Sequence, residues 1–186
     1  MAMTASLGVP DPATQTSDRI RRLLPYRDRD LSRPQLRTLA DSIARQPDVW
    51  FTLIRQDRER RHYVQLYRDM YVDVWLICWV HGQSTGIHDH DGSAGAVSVC
   101  SGDLVEDQFD IRGRSLNQST IVRRASTSFD FGPVHVHQVR HPGGGYPLAV
   151  SIHVYSPAII RMGYYEVDEN GLLRRSTVEH IEEAAV

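Results

Sequence analysis

With 186 residues, 41% of them hydrophobic, the chain is long enough to bury one sizeable core, and a single globular domain is the simplest count. Lysine and arginine number 21 against 23 aspartates and glutamates, a formal net charge of -2, so no general positive field draws the chain to nucleic acid or to an anionic membrane. Two cysteines, Cys78 and Cys100, are a poor basis for a disulfide-scaffolded secreted domain. With no signal-peptide pattern or apolar stretch of transmembrane length, a cytoplasmic, reducing compartment is the expectation.

Residues 1–16, MAMTASLGVPDPATQT, are small and polar with Pro10 and Pro12 among them, and read as a flexible arm ahead of one domain over 17–186. A first short helix is predicted from Ser17 to Leu24, ending before Pro25. The stronger helix signal is LSRPQLRTLADSIARQ. Ser32 can cap it, Pro34 suits its first turn and Gln35 stands at the reciprocal capping-box position. Leu36, Leu39, Ala40 and Ile43 then recur at helical spacing as one buried stripe, and Pro47 stops the run. VWFTLI is predicted to be short helix or irregular, and RQDRERR is a solvated charge run rather than a nucleic-acid motif.

From residue 63 the pattern changes. HYVQLYRD, MYVDVWLICWV, GAVSVCSG, TIVRRAS, PVHVHQV and YPLAVSIHVYSP are rich in Tyr, Val, Ile and Trp and are bounded by Gly, Pro and Asp. Short strands repeated in this way favour an antiparallel, all-β core over alternating strand and helix units. The expected architecture is a jelly-roll barrel with short N-terminal helices packed on it. The final TVEHIEEAAV is predicted to form a terminal helix with an acidic solvent face.

WVHGQSTGIHDHDGSAG carries the first chemical signal. His88 and His90 are two apart, so in an extended segment their imidazoles share one side while Asp89 points away. Gly82 and Gly95 flank the pair and permit tight connections. A second group, His135, His137 and His141, follows the bend at Gly132 and Pro133, and alternation alone does not choose between His135 and His137 as a third ligand. Three neutral nitrogen donors suit iron, zinc, nickel or copper. Iron would leave positions for substrate and oxygen, whereas zinc would point to hydrolysis through an activated water. In SIHVY, Ser151, His153 and Tyr155 alternate onto one strand face. This polar row needs hydrogen bonds if it is buried, with Ser151 able to orient His153 and His153 the Tyr155 hydroxyl.

ICWVHGQSTGIHDH, HQV at 137–139 and SIHVYSP, taken in that order, resemble the cysteine dioxygenase family of thiol dioxygenases within the cupin superfamily, over about residues 63–160. The resemblance implies a cupin barrel and a ferrous-iron site, Fe(II), on His88, His90 and His137, with His135 as a neighbour. It implies Ser151, His153 and Tyr155 as the surrounding catalytic row. The implied partners are a small thiol substrate and molecular oxygen, whose two atoms are added to sulfur to give a sulfinate. Neither nucleic acid nor membrane is an expected partner, and a monomer is the expected state.

Two departures from the family pattern bear on chemistry. Animal members carry a cysteine after the paired histidines that crosslinks to the tyrosine matching Tyr155, and here Gly95 stands in its place. Members that prefer cysteine present a Y-x-R pattern for the substrate carboxylate, and relatives acting on 3-mercaptopropionate can present glutamine. This chain reads Tyr63-Val64-Gln65. Arg61, Arg68, Arg140 and Arg161 are further candidates for the clamp. L-cysteine is the expected substrate, 3-mercaptopropionate the alternative, and a metal-binding cupin without turnover the reading from another class.

Overall fold

The computed structural model describes residues 12–112, 115–169 and 173–179. The chain opens with α1 (Pro12–Leu23), α2 (Arg33–Ala44), α3 (Pro47–Trp50) and a 3-10 turn (Phe51–Leu53). In α2 the predicted cap is borne out: Gln35 Oε1 accepts from the Ser32 backbone N–H at 2.9 Å and from its hydroxyl at 2.7 Å. Its stripe of Leu36, Leu39, Ala40 and Ile43 is buried. The first helix starts earlier than expected, at Pro12 rather than Ser17, so residues 12–16 are helical and only 1–11 of the expected arm lie outside the described residues. Proline suits a first helical turn as well as a stop, and Pro47 opens α3 instead of only ending α2.

Eleven strands follow among the described residues. One sheet has the order β1 (His62–Arg68), β2 (Asp73–Val80), β9 (Leu148–Ser156), β4 (Ala94–Ser101), β7 (Ser128–Phe131). The other has the order β11 (Leu173–Glu179), β10 (Arg161–Val167), β3 (His88–Asp89), β8 (Val136–Arg140), β5 (Leu104–Arg112), β6 (Ser115–Arg123). All the pairings are antiparallel.

The expected barrel is corrected here. The two sheets are separate ladders, with β1 and β7 at the edges of one and β11 and β6 at the edges of the other. Alternating strands prescribe an inside and an outside, which a pair of open sheets and a closed barrel share. Whether the edges meet is not written in that alternation. The predicted terminal helix is also corrected, because Thr177, Val178 and Glu179 pair with β10 as strand; residues 180–186 lie outside the described residues.

Strands β2 and β9 show how the layers form. Val74, Leu76 and Cys78 of β2, with Val150, Ile152 and Val154 of β9, join the helix residues Leu36, Leu39 and Ile43 in one buried cluster. The alternate residues Trp75, Ile77, Trp79 and Tyr155 belong to clusters on the opposite side, with Val97, Val99, Phe129 and Phe131. Burial on both faces explains why these strands read as nearly continuous apolar runs. It also means that Ser151 and His153, set into that second layer, must find polar partners.

Candidate metal centre

His88 and His137 face each other as a direct cross-strand pair of β3 and β8, and His90 follows His88 by one pleat. One ligand atom from each of the three lies within 4.8 Å of the others. The ring centroids stand 4.6 Å (His88 to His137), 5.0 Å (His88 to His90) and 5.2 Å (His90 to His137) apart. All three are at most 3% exposed. Burial, followed by the nearby imidazoles, pushes His88 and His90 well below the ordinary histidine value; burial also lowers His137. Three imidazoles that resist protonation at neutral pH keep their lone pairs for a cation.

The remaining ring nitrogens fix which lone pair faces inward. His88 Nδ1 donates to the Gly86 carbonyl at 3.1 Å, and His137 Nδ1 donates to Glu106 Oε1 at 2.9 Å. Each ring is thereby held in the tautomer that bares Nε2. His90 Nε2 is buried and has no hydrogen-bond partner. A buried orphan of this kind is costly unless something takes its lone pair, and a metal ion held by the three histidines fits. The three histidines form a facial triad able to hold one mononuclear metal ion.

Glu106 was missed in the sequence. It is fully buried on β5 and its Oε1 also accepts from His135 Nε2 at 2.9 Å. Its Oε2 accepts from Arg123 Nε at 2.8 Å and from Gln108 Nε2 at 3.1 Å. Burial alone would raise its pKa, but the bonds from His135, His137 and Arg123 outweigh that and hold it well below the ordinary carboxylate range. Glu106, His135 and His137 also bring ligand atoms together, but the Arg123 guanidinium already neutralises this carboxylate. His135 precedes β8 and lies outside the first triad, as expected of a neighbour.

Asp89 points away from the histidines, as alternation requires. Arg175 of β11 grips it twice, Nε to Oδ2 and Nη2 to Oδ1, both at 2.7 Å, while Tyr165 donates to Oδ2 at 2.6 Å. Burial pushes the Asp89 carboxyl up, but these bonds and the Asp91 N–H prevail and set it at about 2. β10 and β11 therefore clamp the two-residue strand that carries His88 and leads into His90.

The polar row of β9 forms the chain predicted for it, with one addition. Trp79 Nε1 donates to Ser151 Oγ at 2.9 Å, Ser151 Oγ lies 2.8 Å from His153 Nε2, and His153 Nδ1 lies 3.1 Å from the Tyr155 oxygen. Ser151 is fully buried, so its own proton needs an acceptor. His153 Nε2 supplies one, burial having pushed that ring, with help from His137 and Arg61, down to about 3. Nδ1–H then donates to Tyr155, which keeps its own O–H as a donor.

A cavity of about 60 Å³ joins these groups, lined by His88, His137, His153, Tyr155, Arg61 and Tyr63 with apolar walls that include Trp75, Ile159 and Met162. Of the clamp candidates, Arg61 and Tyr63 line it and the others do not. Gln65 donates to Asp73 Oδ1 at 2.9 Å. Arg68 bonds Asp73 and the Ile159 carbonyl, Arg140 pairs with Asp107, and Arg161 with Asp91. Arg61 was the last residue of the expected solvated run. Its Nη1 donates to the Ser84 carbonyl at 2.7 Å, its guanidinium lies 5.1 Å from the Trp79 ring centroid, and its buried Nε has no partner. Cys100 lies off the cavity, its thiol pushed up to about 12 by burial.

The family model "Cysteine dioxygenase type I" matches residues 4–167. "Cysteine dioxygenase type 1" of Danio rerio is 25% identical over 131 residues, 66% of this chain and 64% of the relative. The protein of the same name from Rattus norvegicus is 28% identical over 90 residues, 46% of this chain and 44% of the relative. The chain thus spans less than two thirds of the length of these curated relatives. Among solved structures, TT1209 from Thermus thermophilus is 17% identical, with 58% of this chain and 93% of that one covered at a TM-score of 0.49. Among the described residues no helix is long and apolar enough to cross a membrane.

Proposed function

The chain belongs to the cysteine dioxygenase type I family, whose pattern covers residues 4–167, and on that premise we propose that it is a non-haem iron(II) thiol dioxygenase. Its substrate is L-cysteine, converted by one molecule of oxygen into cysteine sulfinate. The observation that carries this reading is the buried triad of His88, His90 and His137 beside a small cavity that also holds Arg61 and Tyr155. Bound to the triad, Fe(II) supplies the meeting point of thiolate and dioxygen. The reaction balances without a cosubstrate, because both oxygen atoms end on sulfur.

The protein's own groups supply position. Arg61 meets the substrate carboxylate: its buried Nε lacks an acceptor, and Nη1 is anchored on Ser84 so that the fork is fixed before substrate arrives. Tyr155, fed by the chain through Trp79, Ser151 and His153, keeps its hydroxyl proton as a donor at the reacting end of the cavity. Trp75, Ile159 and Met162 keep water from the sulfur. Holding the reactants adjacent in a dry site makes attack on sulfur effectively intramolecular.

Gln65, which favoured 3-mercaptopropionate by pattern, bonds Asp73 and lies off the cavity, which supports L-cysteine. The test is parallel turnover of L-cysteine, 3-mercaptopropionate and cysteamine by protein whose iron content is measured. L-cysteine is expected to give sulfinate fastest, and cysteamine, lacking a carboxylate for Arg61, slowest. Sulfinate from none of the three by iron-loaded protein would refute the proposal. Retained metal and thiol without oxygen consumption would instead mark a binding protein, and iron-independent hydrolysis a zinc enzyme.

A further inference from the structure

Gly95 sits between two aromatic residues in register: it pairs with Phe131 of β7 on one side and with Tyr155 of β9 on the other. A Cβ built on Gly95 would lie 2.6 Å from Phe131 Cε2 and 3.0 Å from Tyr155 Cδ1, with Phe131 Cζ closer still. The space beside Tyr155 is therefore filled, by a ring that leans across the bare glycine from the neighbouring strand. That ring is 3% exposed. It stacks on His90 at 5.1 Å and 21° and on His135 at 4.9 Å and 22°. Its centroid also lies 5.1 Å from His137 and 6.4 Å from Tyr155. One side chain thus stacks on one triad histidine and packs at a tilt against a second and against the tyrosine.

We infer that Phe131 is a positioning residue, which fixes by packing the Tyr155 ring and the His90 and His137 imidazoles around the metal that the proposed function places there. Glycine offers no sulfur or other side-chain atom through which residue 95 could be tied to Tyr155. Confinement of the tyrosine falls to whatever occupies the space, and Phe131 occupies it. The absent side chain at 95 and the ring at 131 form one device, since a side chain added at 95 displaces the ring.

This inference rests on the metal-site reading, so the test separates the two. Wild type, Phe131→Leu, Gly95→Ala and the double variant are purified as full chains, their melting temperatures recorded, and cobalt(II) titrated in while the visible ligand-field bands are followed. Phe131→Leu, which keeps an apolar contact, is expected to fold, to bind cobalt about ten-fold more weakly and to shift the bands. Loaded with iron, it loses kcat while KM stays within about two-fold, because Arg61 is untouched. Gly95→Ala pushes the ring aside and gives the same band shift with Phe131 still present. In the Phe131→Leu background it adds little, the non-additivity expected of one shared contact. A folded Phe131→Leu with wild-type affinity, bands and kcat overturns the inference alone. Should that variant fail to fold, Gly95→Ala with unshifted bands overturns it instead. Failure of wild type to bind cobalt overturns the metal-site reading beneath it.

Discussion

Glu106 is a buried carboxylate whose charge is shared by Arg123 on one oxygen and by His135 and His137 on the other. Its effect on His137 is to hold Nδ1–H and so to aim Nε2 at the cation. Outer partners of ligating imidazoles carry about 10–100-fold in metal affinity. Glu106→Gln is isosteric but its oxygen accepts weakly and its amide repels Arg123. It is expected to cost about ten-fold in metal affinity, read by competition against a coloured chelator, and an unchanged dissociation constant would show that His137 needs no such anchor. His137 is legible through its resemblance motif, yet Glu106 lies on LVEDQFDIR, where Glu106, Asp107, Gln108 and Asp110 look like a solvated edge. Only the fold, by pairing Gln108 with His137 across β5 and β8, reveals that this edge faces the ligands.

At the level of elements, the strands read correctly from alternation include β1, β2, β4 and β9, which form the apolar wall and carry Tyr63, Trp79 and the Ser151 row. The strands that went unread, β3, β5, β7, β10 and β11, hold His88, Glu106, Phe131 and Arg175. β3 and β7, with two and four residues, are too short for an alternation to register, and β5 and β11 break their apolar residues with charged and polar ones. β3 is only two residues long and owes its conformation to its neighbours. Arg175 ties it to β11 through two bonds to Asp89 and one to Asp91 at 2.8 Å. Charge-assisted bonds of this kind contribute about 1.5–3 kcal/mol. Arg175→Ala is expected to lower the melting temperature by about 4–8 °C and to weaken metal binding although it touches no ligand. A variant with the stability and metal affinity of wild type would show that β3 is set by its ladder alone.

For the molecule as a whole, acid should unravel the site in two stages. His153, held at about 3, stays neutral in the fold while an unfolded imidazole takes a proton below about 6.5. The unfolded state then binds more protons, so stability is full above about 6.5 and falls as pH drops towards about 3. His88, His90 and His137 are lowered by the same burial and act with the same sign. Asp89, held at about 2, and Glu106 are depressed carboxylates. Their contribution is present above the ordinary carboxylate values and is lost only as pH falls through their folded values. Between about pH 7 and 5 the lowered histidines act together, and the melting temperature of metal-free protein is expected to decline steadily. A flat profile over that interval would mean that these imidazoles are hydrated in the fold. Burial of four histidines in one layer is thus a stability cost at acid pH that comes with keeping their lone pairs available.

The proposed function requires that both atoms of one oxygen molecule pass to the sulfur of a small thiol. Iron-loaded protein supplied with L-cysteine and ¹⁸O₂ in unlabelled water tests it by mass spectrometry of the product. The expected product is cysteine sulfinate carrying two heavy oxygen atoms. Sulfinate labelled at one oxygen or none, or cystine as the only product, would contradict it.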